Sequence, residues 1–540
     1  MENLRLTARG IGAKGAFQSS VWQTFRQSEF PEILFCGMTA LLFLLLASTC
    51  SPLYAFNDWV DPNSFMTMGK GMLKGFVPYR DLFEQKGPLL YLIHALAYLV
   101  DRTGFLGVFV FEVASLSMSL WIADKIVRLF ISNQFNGFIL PIFTCLTLVS
   151  SNFESGDSAE EFCLPLILGL MYLMCRHFLK NPLGTLTDRQ ALAVGSLGGC
   201  VLMIKYTMLG FWIGFALVLT AGCVQRRQVR ELLRTVLFVL AGVALSVLPW
   251  LVYFVLNRAL GSFFETYFLT NIRFYAQAMS LLDRIRLIGK AVGSGFGNNV
   301  VAGMITLFGI GVFAFGRRHF PTRHGRLVLP VCAAVQILAT YYSGRNYSYY
   351  YLTFFPFLLF GLIAIVGVIQ ARKTIRLPIR EKVALTVCLL LILTVVTIST
   401  SPNIPLINKS REDYPQFAFA EIINSVPGAT VLNYGFLDGG FYTAADVTPA
   451  FRFFMLNNID YQNMPEMLDE QKRYILDREA TFVIFRMNMD ESPSGLQIPG
   501  LHEHYKLAAL GSFPYRGTGL VFKYALFKLK TSSLPSGHPR

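Results

Sequence analysis

From residue 32 to residue 400 the chain alternates long apolar runs with short polar connections, and then it changes character. A bilayer core takes about 20 apolar residues per helix. Runs of that kind lie near 32–52, 104–123, 136–152, 162–178, 190–204, 207–223, 235–256, 298–316, 327–343, 350–370 and 383–400. They predict about eleven transmembrane helices, the two within 190–223 being short. Past residue 401, charged residues, turns and short alternating runs take over. "ATVLNYGFLDGG" and "ATFVIFRM" read as strands, and "PEMLDEQKRYILDRE" reads as a helix begun by a proline. The expected fold is a polytopic α-helical membrane protein over 1–400 with a small extracytoplasmic α/β domain over 401–540. The last ten residues, rich in Ser, Pro and Gly, are expected to be disordered. No internal repeat is visible.

Composition agrees with that pattern. Of 540 residues, 54% are hydrophobic and 15% charged, against about 25% charged in soluble domains. The net charge of +14 does not point to nucleic acid, because no basic stripe sits on a soluble module. It collects instead in Lys125/Arg128, Arg176/Lys180/Arg189, Arg226/Arg227/Arg230/Arg234, Arg317/Arg318/Arg323/Arg326 and Arg372/Lys373/Arg376/Arg380. Placing these in the cytoplasm satisfies the positive-inside rule. The loops 53–103, 153–161 and 257–297 and everything after 401 then face outward from the cytoplasmic membrane. About thirty polar and basic residues, with Arg5, Arg9, Lys14 and Arg26, precede the first run. No small-residue cleavage site ends that run, so it reads as a retained first helix with a cytoplasmic start. The nine cysteines lie in or beside apolar runs, which argues against a disulfide framework. No Cys-x-x-Cys or paired histidines offer metal-ligand spacing.

The first outer loop carries the candidate chemistry. Phe65, Met68, Met72, Leu73 and Phe76 recur at helical spacing, with Lys70 and Lys74 opposite. This predicts a short amphipathic helix suited to the membrane surface, weakened by Gly69, Gly71 and Gly75. Asp58 and Asp61 precede it, and Asp81, Glu84 and Lys86 follow. Gly87-Pro88 then opens an apolar helix too short to span. Such a mixture suits a solvated salt-bridge surface. It equally suits a carboxylate base beside cations that grip a phosphate, the arrangement needed to move a group from a lipid phosphate to a hydroxyl. Elsewhere, Glu112 inside the second run is expected to hydrogen-bond a neighbouring helix. Lys205 either snorkels to the interface or meets a lipid phosphate. Glu160 and Glu161, with Asp157, suit a helix N-terminus by charge alone, or bind sugar or acceptor. Arg345 precedes a tyrosine run that an interfacial aromatic belt explains, and itself suits a phosphate or diphosphate. Arg273, in a basic loop with Arg258, Arg284, Arg286 and Lys290, suits lipid headgroups or a polyprenyl phosphate.

"VDPNSFMTMGKGMLKGFVPYRDLFEQKGPLLY" resembles the first outer loop of bacterial glycosyltransferases of the C superfamily, the group with protein O-mannosyltransferases and the aminoarabinose transferase of lipid A. Members carry an Asp, commonly Asp-Glu, soon after the first span, then an amphipathic helix and a Lys-Pro-Pro or Lys-Gly-Pro element. Asp61 matches that Asp and Lys86-Gly87-Pro88 matches that element. Pro62 stands where many members have Glu, which leaves the second carboxylate open among Asp58, Asp81 and Glu84. "KYTMLGFWIGF", "LPWLVYFVLNRALGSFFETYFLTNIRFY" and "RNYSYYYLTFFPFL" are similar to later family segments in the same order, over about 1–400. The resemblance implies an inverting glycosyltransferase with a polyprenyl-phosphate sugar donor, a lipid groove, and a glycan, lipid or protein acceptor. Asp61 is then the general base, and Asp58 the second candidate catalytic carboxylate. Asp81 and Glu84 position acceptor or sugar, and Lys86, Lys205 and Arg345 hold phosphate. No cofactor is implied, and dependence on a divalent cation stays open. A lipid-linked-sugar flippase, or a polysaccharide polymerase or ligase, are the alternatives. A flippase is expected to show paired broken helices and repeats.

Overall fold

The computed structural model describes residues 29–132, 135–277, 279–372, 377–515 and 520–530. The expectations for the N-terminal cytoplasmic segment and the last ten residues, and the bases Lys373 and Arg376, lie outside them. Each of the eleven apolar runs falls on a helix: α1 (Phe30–Ala47), α4 (Leu106–Phe130), α5 (Asn136–Leu148), α6 (Ala159–Lys180), α7 (Asp188–Leu202), α8 (Gly210–Gln225), α9 (Val229–Leu256), α11 (Val300–Phe315), α12 (Arg323–Tyr341), α13 (Phe355–Arg372) and α14 (Ile379–Thr400). Among the described residues seven spans are long and apolar enough to cross a membrane alone, and eight if α10 (Leu281–Gly297) and α11, bent by 112°, count as one. The chain is a multi-pass membrane protein. Shorter helices such as α5 and α7 hold their place by packing. In α7, Gly195 lies so close to α9 that a Cβ there would sit 2.0 Å from the Val239 carbonyl oxygen, a contact between small-residue faces that brings two membrane helices together.

Within the first loop lie α2 (Val60–Leu73) and α3 (Pro88–Tyr98). The expected surface helix α2 is not on a surface: every residue from Pro62 to Gly71 is buried. Its periodicity is amphipathic, but protein covers both faces, with α3 on one side and the C-terminal domain on the other. Lys70, which periodicity placed toward water, is 0% exposed. Its Nζ donates to the Tyr442 carbonyl at 2.7 Å and lies 3.9 Å from Asp446, while Thr67 donates to Asp438 at 2.6 Å.

The C-terminal domain has four strands, β1 (Val431–Tyr434), β2 (Phe482–Met487), β3 (Tyr505–Pro514) and β4 (Val521–Leu529), in the order β1-β2-β4-β3. β1 and β2 are parallel, joined by a crossover that contains α16 (Glu466–Leu476), and the other pairs are antiparallel. The two strands and the helix read from sequence are present; the hairpin β3–β4 is added to them. α15 (Pro415–Asn424) faces the loop, where Phe56 meets Phe417 and Tyr414 edge-on at 5.2 and 5.8 Å. One apolar core therefore runs from the membrane helices into the domain.

Burial holds the Lys70 ammonium down to about 8, against the pull of Asp446 and Asp438. Undocked it titrates near ~10.4. The docked state thus binds this proton less tightly, so domain seating strengthens as pH rises from about 8 to about 10 and is flat below. Lys70→Met is expected to cost about 2 kcal/mol of seating, below the usual cost of breaking a buried pair because Asp446 is partly exposed. It should also remove the rise with pH. Limited proteolysis between the last span and α15, followed against pH, measures both, and an unchanged pH profile would contradict the assignment.

Candidate functional site

The site begins with a backbone splice. The Gly87 N–H donates to the Ile204 carbonyl at 3.0 Å and the Leu89 N–H to the Met203 carbonyl at 3.0 Å. The two chains lie so close that a Cβ on Gly87 would sit 2.0 Å from the Met203 carbonyl oxygen. Only glycine fits, and Pro88 then starts α3. The splice brings Lys86 and Lys205, far apart in sequence, to the wall of one narrow cavity of about 60 Å³. A π-helix, Phe264–Tyr275, contributes Tyr267, Asn271 and Tyr275 to the same wall, and Tyr350, Thr340 and Ser343 close it. π-helical turns are rare and often found at functional sites. Asn271 ties this wall to the first loop by donating to the Gln85 carbonyl at 3.0 Å.

The lysines differ in their surroundings. Lys86 lies 3.9 Å from Glu84 and 5.4 Å from the Phe65 ring centroid. Burial disfavours its charge, but Glu84, Asp61 and Glu160 outweigh burial and hold its pKa above the ordinary lysine value. Lys205 pairs with the buried Glu160 and stands 4.1 Å over the Tyr350 ring. Burial dominates here and holds its pKa below the ordinary value in spite of Glu160.

Asp61 lies in the first turn of α2, half-buried. Among the described residues its carboxylate accepts no hydrogen bond and forms no ion pair. Its charge nevertheless acts on Lys86, Lys205, Tyr349 and Tyr350 on the cavity side, and on Tyr515 of the C-terminal domain. A carboxylate so placed has open lone pairs, two lysines within reach of its charge and a helix N-terminus behind it. It can accept a proton from a hydroxyl brought between the domain and the cavity.

The other expected residues divide into those near this point and those away from it. Glu84 is buried and accepts from the Tyr91 hydroxyl and, at 2.7 Å, from the Lys86 N–H. Asp58, also buried, acts on Tyr414, Tyr515 and Tyr524, so it faces the C-terminal domain. Glu160 lies under Lys205. Glu161 points instead into a buried knot: it accepts from the Asp157 N–H at 2.9 Å and bonds Glu112, which accepts from Ser48 at 2.8 Å. Arg345 donates to the Tyr275 and Asn458 carbonyls at 3.3 and 3.0 Å, strapping the domain to the cavity wall. The structure does not bring Asp81 or Arg273 to the cavity. Asp81 accepts from the Val77 N–H at 2.7 Å and pairs with Arg80, whose hydrogen bond holds the carboxyl below its usual range. Arg273 is exposed at the end of the π-helix. Among the described residues no group of three or more His, Cys, Asp or Glu side chains is arranged to hold a metal ion.

Three features went unread in the sequence. His94 on α3 is fully buried and pairs with Asp157 at 2.9 Å, its other nitrogen at 2.8 Å from the Leu90 carbonyl. Burial raises the Asp157 pKa against the His94 partner, and the Asp61 charge adds to the rise. A lone histidine in an apolar helix was the available signal. Tyr349 and Tyr350, explained by an interfacial belt, stand over Lys205. Tyr515 comes from a hairpin that had not been read as strands.

Solved structures resemble the fold. The fold is similar to that of ArnT from Cupriavidus metallidurans bound to undecaprenyl phosphate, at 11% identity and TM-score 0.57, over 95% of this chain and 100% of that one. The apo state of the same protein gives 11% identity and TM-score 0.58, over 94% and 99%. An Archaeoglobus fulgidus oligosaccharyltransferase in complex with Zn and sulfate gives 12% and 0.46, over 84% and 67%. The fold is thus similar to that of ArnT over almost the whole of both chains. No curated protein matches the sequence. Residues 37–399, more than half of the chain, match the family described as "Putative competence-induced protein Ccs4 N-terminal domain", and the chain belongs to that family.

Proposed function

We propose that this member of the Ccs4 N-terminal domain family is an integral membrane glycosyltransferase, moving a sugar from a polyprenyl-phosphate donor to an acceptor hydroxyl on the outer face of the cytoplasmic membrane. One observation carries the reading: the carboxylate of Asp61, which accepts no hydrogen bond among the described residues, lies close enough for its charge to act on Lys86 and Lys205, the two lysines that wall one cavity. The lysines take the donor phosphate. The acceptor oxygen attacks the anomeric carbon as Asp61 removes its proton. The bond from that carbon to the phosphate oxygen breaks, and the electron pair stays on the phosphate, where the lysines hold the growing charge. A single displacement inverts the anomeric centre.

Glu84 orients Lys86 and Glu160 orients Lys205. Asp58 and Tyr515 lie toward the C-terminal domain and form the acceptor side. Arg345 keeps that domain seated on the cavity rim, and Glu161, with Glu112 and the His94–Asp157 pair, stiffens the floor. Arg273 and Asp81, outside the cavity, meet lipid headgroups and hold the loop turn. The likeness to a protein solved with undecaprenyl phosphate supports a polyprenyl lipid as the ligand. The transport alternative asks for paired broken helices; among the described residues one bent pair passes as a broken span.

Purified protein given a synthetic polyprenyl-phosphate hexose and membrane-extract acceptors is expected to release polyprenyl phosphate. Movement of the intact lipid between leaflets without cleavage would sink the reading. Lys86→Met should weaken retention of undecaprenyl phosphate about 30-fold, the usual worth of a hydrogen bond to a charged group. Unchanged retention refutes the phosphate assignment.

A further inference from the structure

The largest cavity among those described is not the candidate site. It is a groove of about 700 Å³ between α8 and α12. Both helices also border the candidate site, but at their other ends: α8 follows Lys205 and Thr207 and ends at Gln225, while α12 starts at Arg323 and runs up to Thr340. At 1.5 Å per residue, helices of 16 and 19 residues separate the two by roughly 24–28 Å. That is close to the thickness of a bilayer core. The groove therefore belongs to the opposite leaflet, at the end that charge assigns to the cytoplasm.

Its lining has two characters. Leu217, Val218, Leu327 and Val331 make an apolar wall, and Leu217, 55% exposed, opens it toward the hydrocarbon. Arg226 and Arg323 make a cationic end, and His324 adds a ring nitrogen beside them. Three bases elsewhere on this face are matched, Lys125 with Glu29 at 2.7 Å, Arg128 with Asp124 at 2.6 Å and Arg234 with Asp188 at 2.6 Å; the groove gathers two arginines that are not. Among the described residues Arg226, Arg323 and His324 form no ion pair with any acid. Behind them, His177 is 1% exposed, feels the charge of Arg226, and has both ring nitrogens without a partner among the described residues. Unneutralised cations at the mouth of an apolar groove complement an amphiphile with an anionic head.

We infer that this groove binds one anionic glycerophospholipid, its headgroup phosphate held by Arg226, Arg323 and His324 and its acyl chains lying along Leu217 and Leu327. The site is separate from the proposed donor cavity, so either can fail without the other.

The test uses the full-length protein, stripped of lipid in detergent and titrated with phosphatidylglycerol, phosphatidylcholine, inorganic phosphate or undecaprenyl phosphate, with bound lipid counted by native mass spectrometry. One phosphatidylglycerol is expected to remain bound, at least ten times more firmly than phosphatidylcholine. The double variant Arg226→Ala/Arg323→Ala should lose at least tenfold in retention. Leu327→Trp, which fills the wall and leaves every charge in place, should lose a similar factor. Retention equal to wild type in either folded variant, or equal binding of phosphatidylcholine, overturns the proposal. Competition by millimolar inorganic phosphate would make this a plain anion site, and displacement by undecaprenyl phosphate would make it a second polyprenyl site; each overturns it too.

Discussion

Asp61→Asn is expected to abolish sugar transfer, by about 10²–10⁴-fold, the usual contribution of a positioned general base. The protein should still fold and still hold undecaprenyl phosphate. The expectation follows from what Asp61 does not do. Among the described residues its carboxylate accepts no hydrogen bond and forms no ion pair, so an amide of the same shape breaks no structural contact. Removing the charge forgoes a favourable helix N-terminus worth about 0.5 kcal/mol, too little to unfold the loop. It does remove one of the acids that keep Lys86 charged, but Glu84 at 3.9 Å and Glu160 remain. Phosphate binding should thus survive while proton removal fails, which separates a base from a residue that merely shapes the cavity. Transfer and lipid retention measured on one preparation decide it. Normal turnover by the variant rules out this base; parallel loss of lipid binding reassigns Asp61 to the phosphate.

Gly87→Ala is expected to be the most damaging change in the first loop that touches no charge. Its Cβ would meet the Met203 carbonyl oxygen at 2.0 Å and the Met203 carbonyl carbon at 2.4 Å. Both are backbone atoms, so no rotamer change relieves the clash. The strands must part, costing about 1–3 kcal/mol for the overpacking and about 1 kcal/mol for each of the two splice hydrogen bonds lost. A total near 4 kcal/mol is a large share of a typical domain's stability. Because the splice joins the backbones that carry Lys86 and Lys205, the loss should show first as weakened undecaprenyl phosphate retention and then as a lower unfolding temperature. Wild-type behaviour in both would show that the splice does not position the lysines.

Much of this was legible one residue at a time. Asp61, Lys86 and Gly87 could be picked out because helix breakers, acids and bases seldom crowd into a stretch next to a membrane span. Lys205 and Glu160 stood out as charges at the edges of apolar runs. Their pairing was not legible, because 45 residues separate them in sequence and periodicity carries no information across helices. Lys70 shows the opposite failure. Its period was read correctly, but the inference that a lysine faces water assumed that nothing covers the helix. His94 was hidden because a buried histidine and a bland one look alike until a carboxylate is seen beside it.

By itself the chain's hydropathy determined that it lies in a membrane, that it is mostly apolar helix and that a small α/β portion follows, since burying apolar area is a local, additive demand that each segment announces. Which charges meet was decided only by tertiary structure. A cation's neighbours depend on how helices far apart in sequence cross, on where a glycine allows two backbones to touch, and on a domain that closes over a helix drawn as if it lay open.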